Sequence, residues 1–310
     1  MASIRLAAAA AVILLGTAAA GCDAAGVRLP PGGGHAPAAP SEPDGARPAP
    51  GPARTPGGEE GPRTGPGTDP EERPSASDPA TGEAQEPEEA PEEAVAAYME
   101  ALASGDPARM AAGLAYAAED STAHDYLAHQ VSVARAGADG GSPAAAFEVE
   151  RTAHGWKLCR GSDPGGAPGC SGYRGFTAQD GLVGGLRVNG GDPGPGLLVP
   201  APGTRPRAES AGVSATLLTA YRSTTAKALV VTVGFETREN ADLDLGQAVY
   251  RSGSGHESRV DAVAGRRELD AGTLARAAFH LPGASSGGVL RVGGCLEECS
   301  SLVELAVPVR

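Results

Sequence analysis

A helical pattern of apolar residues opens the part of the chain that is rich in large side chains. In EEAVAAYMEALASGDPARM the apolar residues are spaced i, i+3, i+4 and i+7, which places them on one helix face: Val95, Tyr98, Met99 and Leu102. Gly105 ends this helix. Asp106 and Pro107 supply an N-cap and a first-turn proline for a second, shorter helix. A third helix is predicted to begin at Asp120 or Ser121.

From residue 144 the apolar period changes to two, which predicts strands. The stretch FEVERTAHGWKLC indicates a hairpin with a turn at His154 and Gly155. The stretch YRGFTAQDGLVGGLRVNGG indicates a second hairpin, in which Asp180 and Gly181 form a tight turn. Helices followed by antiparallel hairpins predict an α+β domain over residues 93–192.

Strand patterns dominate residues 205–310. Short alternating segments are separated by turn-forming runs such as ENADLD and SGSGH. Seven strands are predicted, at residues 213–222, 228–237, 247–251, 257–263, 274–281, 289–292 and 302–309. This count predicts a β-sandwich. Residues 193–204 contain four prolines, which predicts a short, stiff linker between the two domains.

The N-terminus has the layout of an export signal. Arg5 is the only charged residue before the apolar stretch at residues 6–15. That stretch is about half as long as the roughly twenty residues that span a bilayer, so a permanent transmembrane helix is disfavoured. Residues 1–21 are therefore predicted to be a cleaved signal peptide.

A cysteine, Cys22, directly follows the predicted signal peptide. Ala19-Ala20-Gly21-Cys22 resembles the lipobox of bacterial lipoproteins, although the commonest pattern has Leu where Ala19 stands. The resemblance implies that the Cys22 thiol receives a diacylglycerol, with acyl chains such as palmitate, and becomes the mature N-terminus. The alternative is an ordinary signal cleaved after Ala20, which would leave a secreted protein with a free thiol.

Composition separates the N-terminus from the domains. Residues 22–92 contain abundant Pro, Gly and Glu but almost no large apolar side chain, which predicts a disordered tether. The formal net charge of the chain is -13, which argues against a nucleic-acid partner. It also argues against electrostatic attraction to anionic lipids, so membrane attachment would require the lipid anchor.

Each domain resembles a known fold. The order that runs from AVAAYMEALASGD to YRGFTAQDGLVGGLRVNGG resembles the cone-shaped nuclear-transport-factor-like fold, in which a curved sheet wraps a helix and leaves a pocket. Such a pocket would be lined by aromatic residues, which would otherwise fill the core: Tyr126, Trp156, Tyr173 and Phe176. The second domain resembles the immunoglobulin-like sandwich modules of actinobacterial lipoproteins, which implies binding or spacing.

The four cysteines other than Cys22 predict two disulfides. Cys159 with Cys170, and Cys295 with Cys299, would keep each disulfide within one domain. Other pairings are possible from the sequence alone, and two thiolates in CLEEC would also suit zinc. A zinc site requires a further Cys or His pair, however, and His280 stands alone. No metal or other cofactor is predicted.

The sequence lacks the common catalytic motifs. It has no GxxxxGK[ST], GxSxG or HExxH. Ser252, Ser254 and His256 lie in a glycine-rich run that favours a turn over a nucleophile and its base. We therefore predict a non-enzymatic lipoprotein that displays binding or scaffolding domains to an envelope protein or the cell wall, on the extracytoplasmic face of the membrane. The alternatives are a small-ligand carrier and, third, a hydrolase or isomerase.

Overall fold

The computed structural model describes residues 88–160, 169–223 and 225–310. The predicted signal peptide, Cys22 and the predicted tether up to residue 87 lie outside the described residues. All described residues belong to one compact unit. No helix among them has both the length and the apolar content needed to cross a membrane.

Three α-helices begin the described part of the chain, as the apolar spacing predicts: α1 Glu92–Ala103, α2 Pro107–Ala112 and α3 Thr122–Asp139. The four apolar residues that predicted α1 are all buried. Asp106 accepts a hydrogen bond from the Arg109 amide and so caps α2. Ser121 accepts one from the His124 amide and so caps α3. Both caps satisfy amides that lack partners within the helix.

A four-stranded antiparallel sheet follows the helices, with its strands in chain order: β1 Glu148–Thr152, β2 Gly155–Cys159, β3 Cys170–Gln179 and β4 Leu182–Val188. Asp180 and Gly181 form the predicted tight turn and both have positive φ, at 53° and 76°. The first turn lies one residue earlier than predicted, because Gly155 already pairs with Thr152 as the first residue of β2. Helices and sheet together form the helix–sheet segment, residues 88–192.

The remaining strands form two antiparallel sheets, here called the two-sheet segment, residues 197–310. The strands are β5 Leu197–Leu198, β6 Arg207–Ser210, β7 Val213–Ser223, β8 Ala228–Thr237, β9 Ala241–Leu243, β10 Val249–Arg251, β11 Glu257–Arg259, β12 Ala262–Gly265, β13 Glu268–Leu269, β14 Leu274–Pro282, β15 Gly288–Leu296 and β16 Leu302–Val309. Sheet I has the order β12-β14-β8-β7, and both β5 and β6 pair with β7. Sheet II has the order β11-β10-β15-β9-β13, and β16 pairs with β15.

Each of the seven predicted strands has a counterpart, but the structure has three further short strands that were not predicted: β6, β9 and β13. Strand β9 lies within ENADLD, which we expected to be a turn, because its residues pair with β13 and β15. One predicted strand and the predicted linker also differ from the structure. The predicted strand at residues 257–263 is divided: β11 belongs to sheet II and β12 to sheet I. The division falls at Val260 and Asp261, whose amides donate to Ala248 of one sheet edge and His280 of the other. Within residues 193–204, where we predicted a linker, Leu197–Leu198 pairs with β7.

Sheets I and II enclose a common hydrophobic core. The largest fully buried side chains of the two-sheet segment come from both sheets: Leu217, Leu229, Phe235, Leu243, Tyr250 and Phe279. Full burial of each leucine or phenylalanine contributes about 1.5 to 3 kcal/mol, so this shared core is a large favourable term in holding the two sheets together.

Helix α3 packs against the four-stranded sheet of its own segment and against sheet I of the two-sheet segment. Its first half covers the four-stranded sheet through Tyr126 and Leu127. Its second half lies on the outer face of sheet I, where Val133 and Ala136 contact a small apolar cluster made by Val230, Ala264 and Ala278. The helix and sheet I lie very close together at the C-terminal end of α3, since a Cβ on Gly140 would lie 2.8 Å from the Gly265 amide nitrogen. Small side chains on both surfaces make this packing distance sterically accessible.

Candidate functional site

The four aromatic residues of the predicted pocket lie in or beside the core of the helix–sheet segment. Tyr126 is fully buried, and Tyr173 and Phe176 are 2% and 8% exposed. The hydroxyls of Tyr126 and Tyr173 are 3.3 Å apart, and their rings meet edge to face. Trp156 is half-buried at the margin, with the Arg151 guanidinium 5.8 Å from its ring centre. These side chains pack against one another and against α1 and α3, which is the arrangement of a filled core.

The tyrosine hydroxyls are satisfied inside this core. Tyr98 donates to the carbonyl of Ala123 over 2.9 Å. Burial, and to a lesser extent the neighbouring Tyr173, raises the pKa of Tyr126 well above its ordinary value. The hydroxyls therefore remain protonated and act as hydrogen-bonding groups.

A buried polar network joins α3 to sheet I. The His129 Nδ1 atom lies 2.8 Å from Thr219 Oγ1, which is in turn 2.7 Å from Thr232 Oγ1. His129 is 1% exposed, and its ring meets Tyr221 edge to face at 5.6 Å. Burial without a charged partner lowers the pKa of His129 to about 3, because the charged imidazolium would lose its hydration. The histidine is therefore neutral at physiological pH.

An ion pair holds the end of α3 on the same sheet. Asp139 Oδ2 accepts hydrogen bonds from the backbone amide of Arg276 at 2.9 Å and from its guanidinium at 3.2 Å. The two side chains are only 27% and 25% exposed. A carboxylate that accepts both a main-chain and a charged donor in such a site contributes more than an exposed surface pair does.

Both predicted disulfides are present. Cys159 and Cys170 lie directly opposite each other on β2 and β3, with Cα atoms 4.1 Å apart. Cys295, at the end of β15, is bonded to Cys299 four residues later. The loop of the second disulfide is attached to the turn after β8, because the Glu297 amide donates to the Asn240 carbonyl over 2.9 Å.

A groove of about 520 Å³ lies at one end of sheet I. We call it the end groove. Its lining comes from β6 and the start of β7, the end of β8, and the start of β14: residues 207–214, 236–238 and 272–274.

The register of sheet I explains the position of the end groove. Glu209, Ser214, Glu236 and Leu274 are paired in sequence across four strands, so their side chains share one face. It is the same face that α3 covers farther along the strands. Because α3 ends at Asp139, that part of the face remains uncovered and forms the groove.

Other groups of histidine, serine and acidic side chains do not form a site in the described residues. Ser252 Oγ accepts from the His256 amide at 3.1 Å, which is a turn contact. His124 and His129 are not brought together: His124 lies beside Asp125, and His129 contacts Thr219. Across residues 88–160, 169–223 and 225–310, no three His, Cys, Asp or Glu side chains are grouped so as to hold a metal ion.

Two features escaped the sequence interpretation: the His129 network and the end groove. Neither leaves a local signal: His129 and Thr219 are 90 positions apart, and the groove lining comes from four strands between residues 207 and 274.

No protein-family model matches the chain, and no curated protein matches it significantly.

Proposed function

We propose that the protein is an extracytoplasmic lipoprotein, anchored by acyl chains on Cys22, which displays non-catalytic binding domains in the cell envelope. The observation that carries the proposal is the state of the cysteines: the four that follow the tether form two disulfides, each within one segment. Disulfides of this kind persist in oxidising compartments outside the cytoplasm. Cys22 is then the one cysteine left for another use, and it directly follows the apolar export signal.

Packing supports display over small-molecule transport. In the helix–sheet segment the candidate pocket residues Tyr126 and Tyr173 contact each other and fill the interior. Helix α3 joins this segment to sheet I through the His129 network and Asp139. The described residues thus form one packed body, and with the tether predicted for residues 22–92 such a body would be suited to presenting a surface at a distance from the membrane.

We also propose that the helix–sheet segment belongs to the nuclear-transport-factor-like folds and the two-sheet segment to the immunoglobulin-like sandwiches. The order of three helices before an antiparallel sheet, and two facing sheets with a shared core, supports both assignments. An experimental structure compared with representatives of each fold tests them: a sheet that does not curve around α3 would exclude the first.

Replacement of Cys22 tests the lipid anchor. In a bacterial host that processes lipoproteins, we expect the wild-type chain to sediment with membranes and to incorporate an alkyne-labelled fatty acid. Cys22→Ala should abolish labelling and shift the protein to the soluble extracytoplasmic fraction or medium. Ala24→Ser, two residues away, is the matched control and should behave as the wild type. Labelled or membrane-bound Cys22→Ala protein would contradict the proposal.

A further inference from the structure

The connection between β15 and β16 carries the Cys295–Cys299 disulfide, and we call residues 295–299 the cystine loop. Residues 297–300 are exposed, so Cys299 lies in a part of the surface that a dissolved thiol can reach. Exposure does not distinguish this disulfide from the other one, because Cys170 is exposed as well. The difference between the two disulfides lies in the backbone around them.

The cystine loop has two consecutive residues in the left-handed region. Glu298 has a φ of 56° and Cys299 has a φ of 52°. Among the residues that the structure describes, no other two non-glycine residues with positive φ are adjacent in the chain. Residues with a Cβ adopt this region at a cost in energy and usually do so singly, because the Cβ approaches the following carbonyl oxygen. The closed loop therefore holds its backbone in a strained conformation.

The Cys159–Cys170 disulfide joins two strands whose pairing already brings its cysteines together. Cys159 and Cys170 are register partners on β2 and β3, and neither has a positive φ. The Arg160 amide continues this pairing by donating to the Gly169 carbonyl over 3.1 Å. If this disulfide were reduced, the strand register would keep its thiols opposite each other and would favour its return. Strained disulfides are the more readily reduced ones, so the two disulfides should differ in how easily they open.

We infer that the Cys295–Cys299 disulfide is a site of reversible thiol–disulfide exchange, which external thiols and dithiols open while Cys159–Cys170 stays closed. The external thiolate attacks Sγ of the exposed Cys299, the S–S bond breaks, and Cys295 leaves as a thiolate that takes up a proton. A second thiol then displaces Cys299 from the mixed disulfide. In total the protein disulfide gains two electrons and two protons, and two reductant thiols are oxidised to one disulfide.

Opening of the cystine loop would also loosen its attachment to the turn after β8. The Glu297 amide donates to the Asn240 carbonyl over 2.9 Å, and the Asn240 side-chain amide donates to a Glu297 carboxylate oxygen over 3.3 Å. The Leu296 amide donates to the Ser301 carbonyl over 3.0 Å. Once the disulfide is open, the two strained residues can leave the left-handed region, and these contacts lose the backbone geometry that holds them. Exchange would therefore change the local stability of one end of sheet II.

A redox titration of the full mature chain under native conditions tests the inference. Samples are equilibrated at a series of ratios of reduced to oxidised dithiothreitol, quenched with acid, and alkylated with N-ethylmaleimide in denaturant. Peptide mass spectrometry then measures the fraction of free thiol at each cysteine. The Cys159–Cys170 disulfide is the control within the same molecules, and Cys22 is measured separately.

We expect Cys295–Cys299 to be half reduced at a ratio at least about tenfold lower than Cys159–Cys170, which corresponds to about 30 mV for this two-electron couple. Glu298→Gly should raise the half-reduction ratio of Cys295–Cys299 about tenfold, because glycine adopts positive φ without the Cβ penalty. The matched control is Glu297→Gly, which removes the same charge at a residue without positive φ and should not raise the ratio. In the reduced wild type, hydrogen exchange of the amides in residues 296–301 should be faster.

Simultaneous opening of the two disulfides would overturn the inference, and so would earlier opening of Cys159–Cys170. Equal half-reduction ratios for Glu298→Gly and Glu297→Gly would show that the left-handed residues do not control the exchange, which would overturn it as well. Unchanged hydrogen exchange after selective reduction would contradict the loosening of the loop. These outcomes are separate from those of the Cys22 experiment, because the exchange does not require a lipid on Cys22.

Discussion

The buried His129 should make the folded state sensitive to mild acid. Its pKa is about 3 in the folded chain and 6.5 in a solvated histidine. Below pH 6.5 the unfolded chain therefore binds a proton that the folded chain does not, so the free energy of unfolding falls as the pH falls. Above pH 6.5 both states are neutral at this residue, and its contribution to stability is constant.

The size of the effect follows from the difference in pKa. Each pH unit between 6.5 and the folded pKa costs about 1.4 kcal/mol, so the loss reaches about 2 kcal/mol at pH 5 and approaches about 5 kcal/mol near pH 3. Since small domains are stabilised by only about 5 to 15 kcal/mol, the loss at pH 5 is measurable.

Urea unfolding of the full chain at pH 5, 6, 7 and 8 measures this effect, with Trp156 fluorescence and circular dichroism as two probes. The matched variant is His129→Asn, whose amide can contact Thr219 Oγ1 from the position of Nδ1 but does not titrate. We expect the variant to be less stable at pH 8, because it leaves a cavity. Between pH 8 and pH 5 it should lose about 2 kcal/mol less than the wild type. If the two proteins lose equal free energy over that range, His129 is not buried and neutral as described.

Three further predictions concern packing and cross-links. Asp139→Asn should lower the free energy of unfolding by about 1 to 2 kcal/mol, because it weakens the partly buried contact to Arg276. Asp270→Asn, which weakens an exposed pair with Arg266, should lower it by less than about 0.5 kcal/mol. Chemical denaturation of the two variants and the wild type measures both values. Gly140→Ala should destabilise the chain by about 1 kcal/mol or more, because its Cβ would lie 2.8 Å from the Gly265 backbone nitrogen in β12. An unchanged melting temperature for this variant would refute the close contact between the end of α3 and β12. Replacement of both cysteines of the 159–170 disulfide should lower the free energy of unfolding by about 3 kcal/mol, and replacement of the 295–299 pair should lower it by about 2 kcal/mol, because the first disulfide closes the longer loop. The first variant should therefore have the lower melting temperature, and the reverse order would contradict this account.

Local patterns were sufficient for much of the fold. The helices α1 and α3 and the hairpin turn at Asp180 and Gly181 depend on periods of a few residues, on caps and on turn residues, all of which are written in consecutive positions. The cysteine pairing was equally accessible, because each disulfide closes a short loop within one segment. In the described residues, these elements appear close to their predicted positions.

The register between strands could not be predicted from the sequence pattern. Strict alternation from Val213, Ala215 and Leu217 would place Thr219 in the core between the sheets. The structure has an irregularity in the pairing between Leu217 and Thr219, and this shift turns Thr219 to the outer face, toward His129. A bulge inserts one residue without a distinctive residue type, so the buried network that depends on it could not be predicted.

The sequence by itself determined the helices, most of the strands and the cysteine pairs, since each follows from residues that are close together in the chain. The export signal remains a prediction from the sequence, because it lies outside the described residues. Tertiary structure decided that α3 packs on sheet I, that β11 and β12 belong to different sheets, and that Glu236 and Leu274 lie opposite each other at the end groove. The physical reason is that these arrangements depend on which apolar faces cover one another, and the free energy of that burial is a property of the assembled chain.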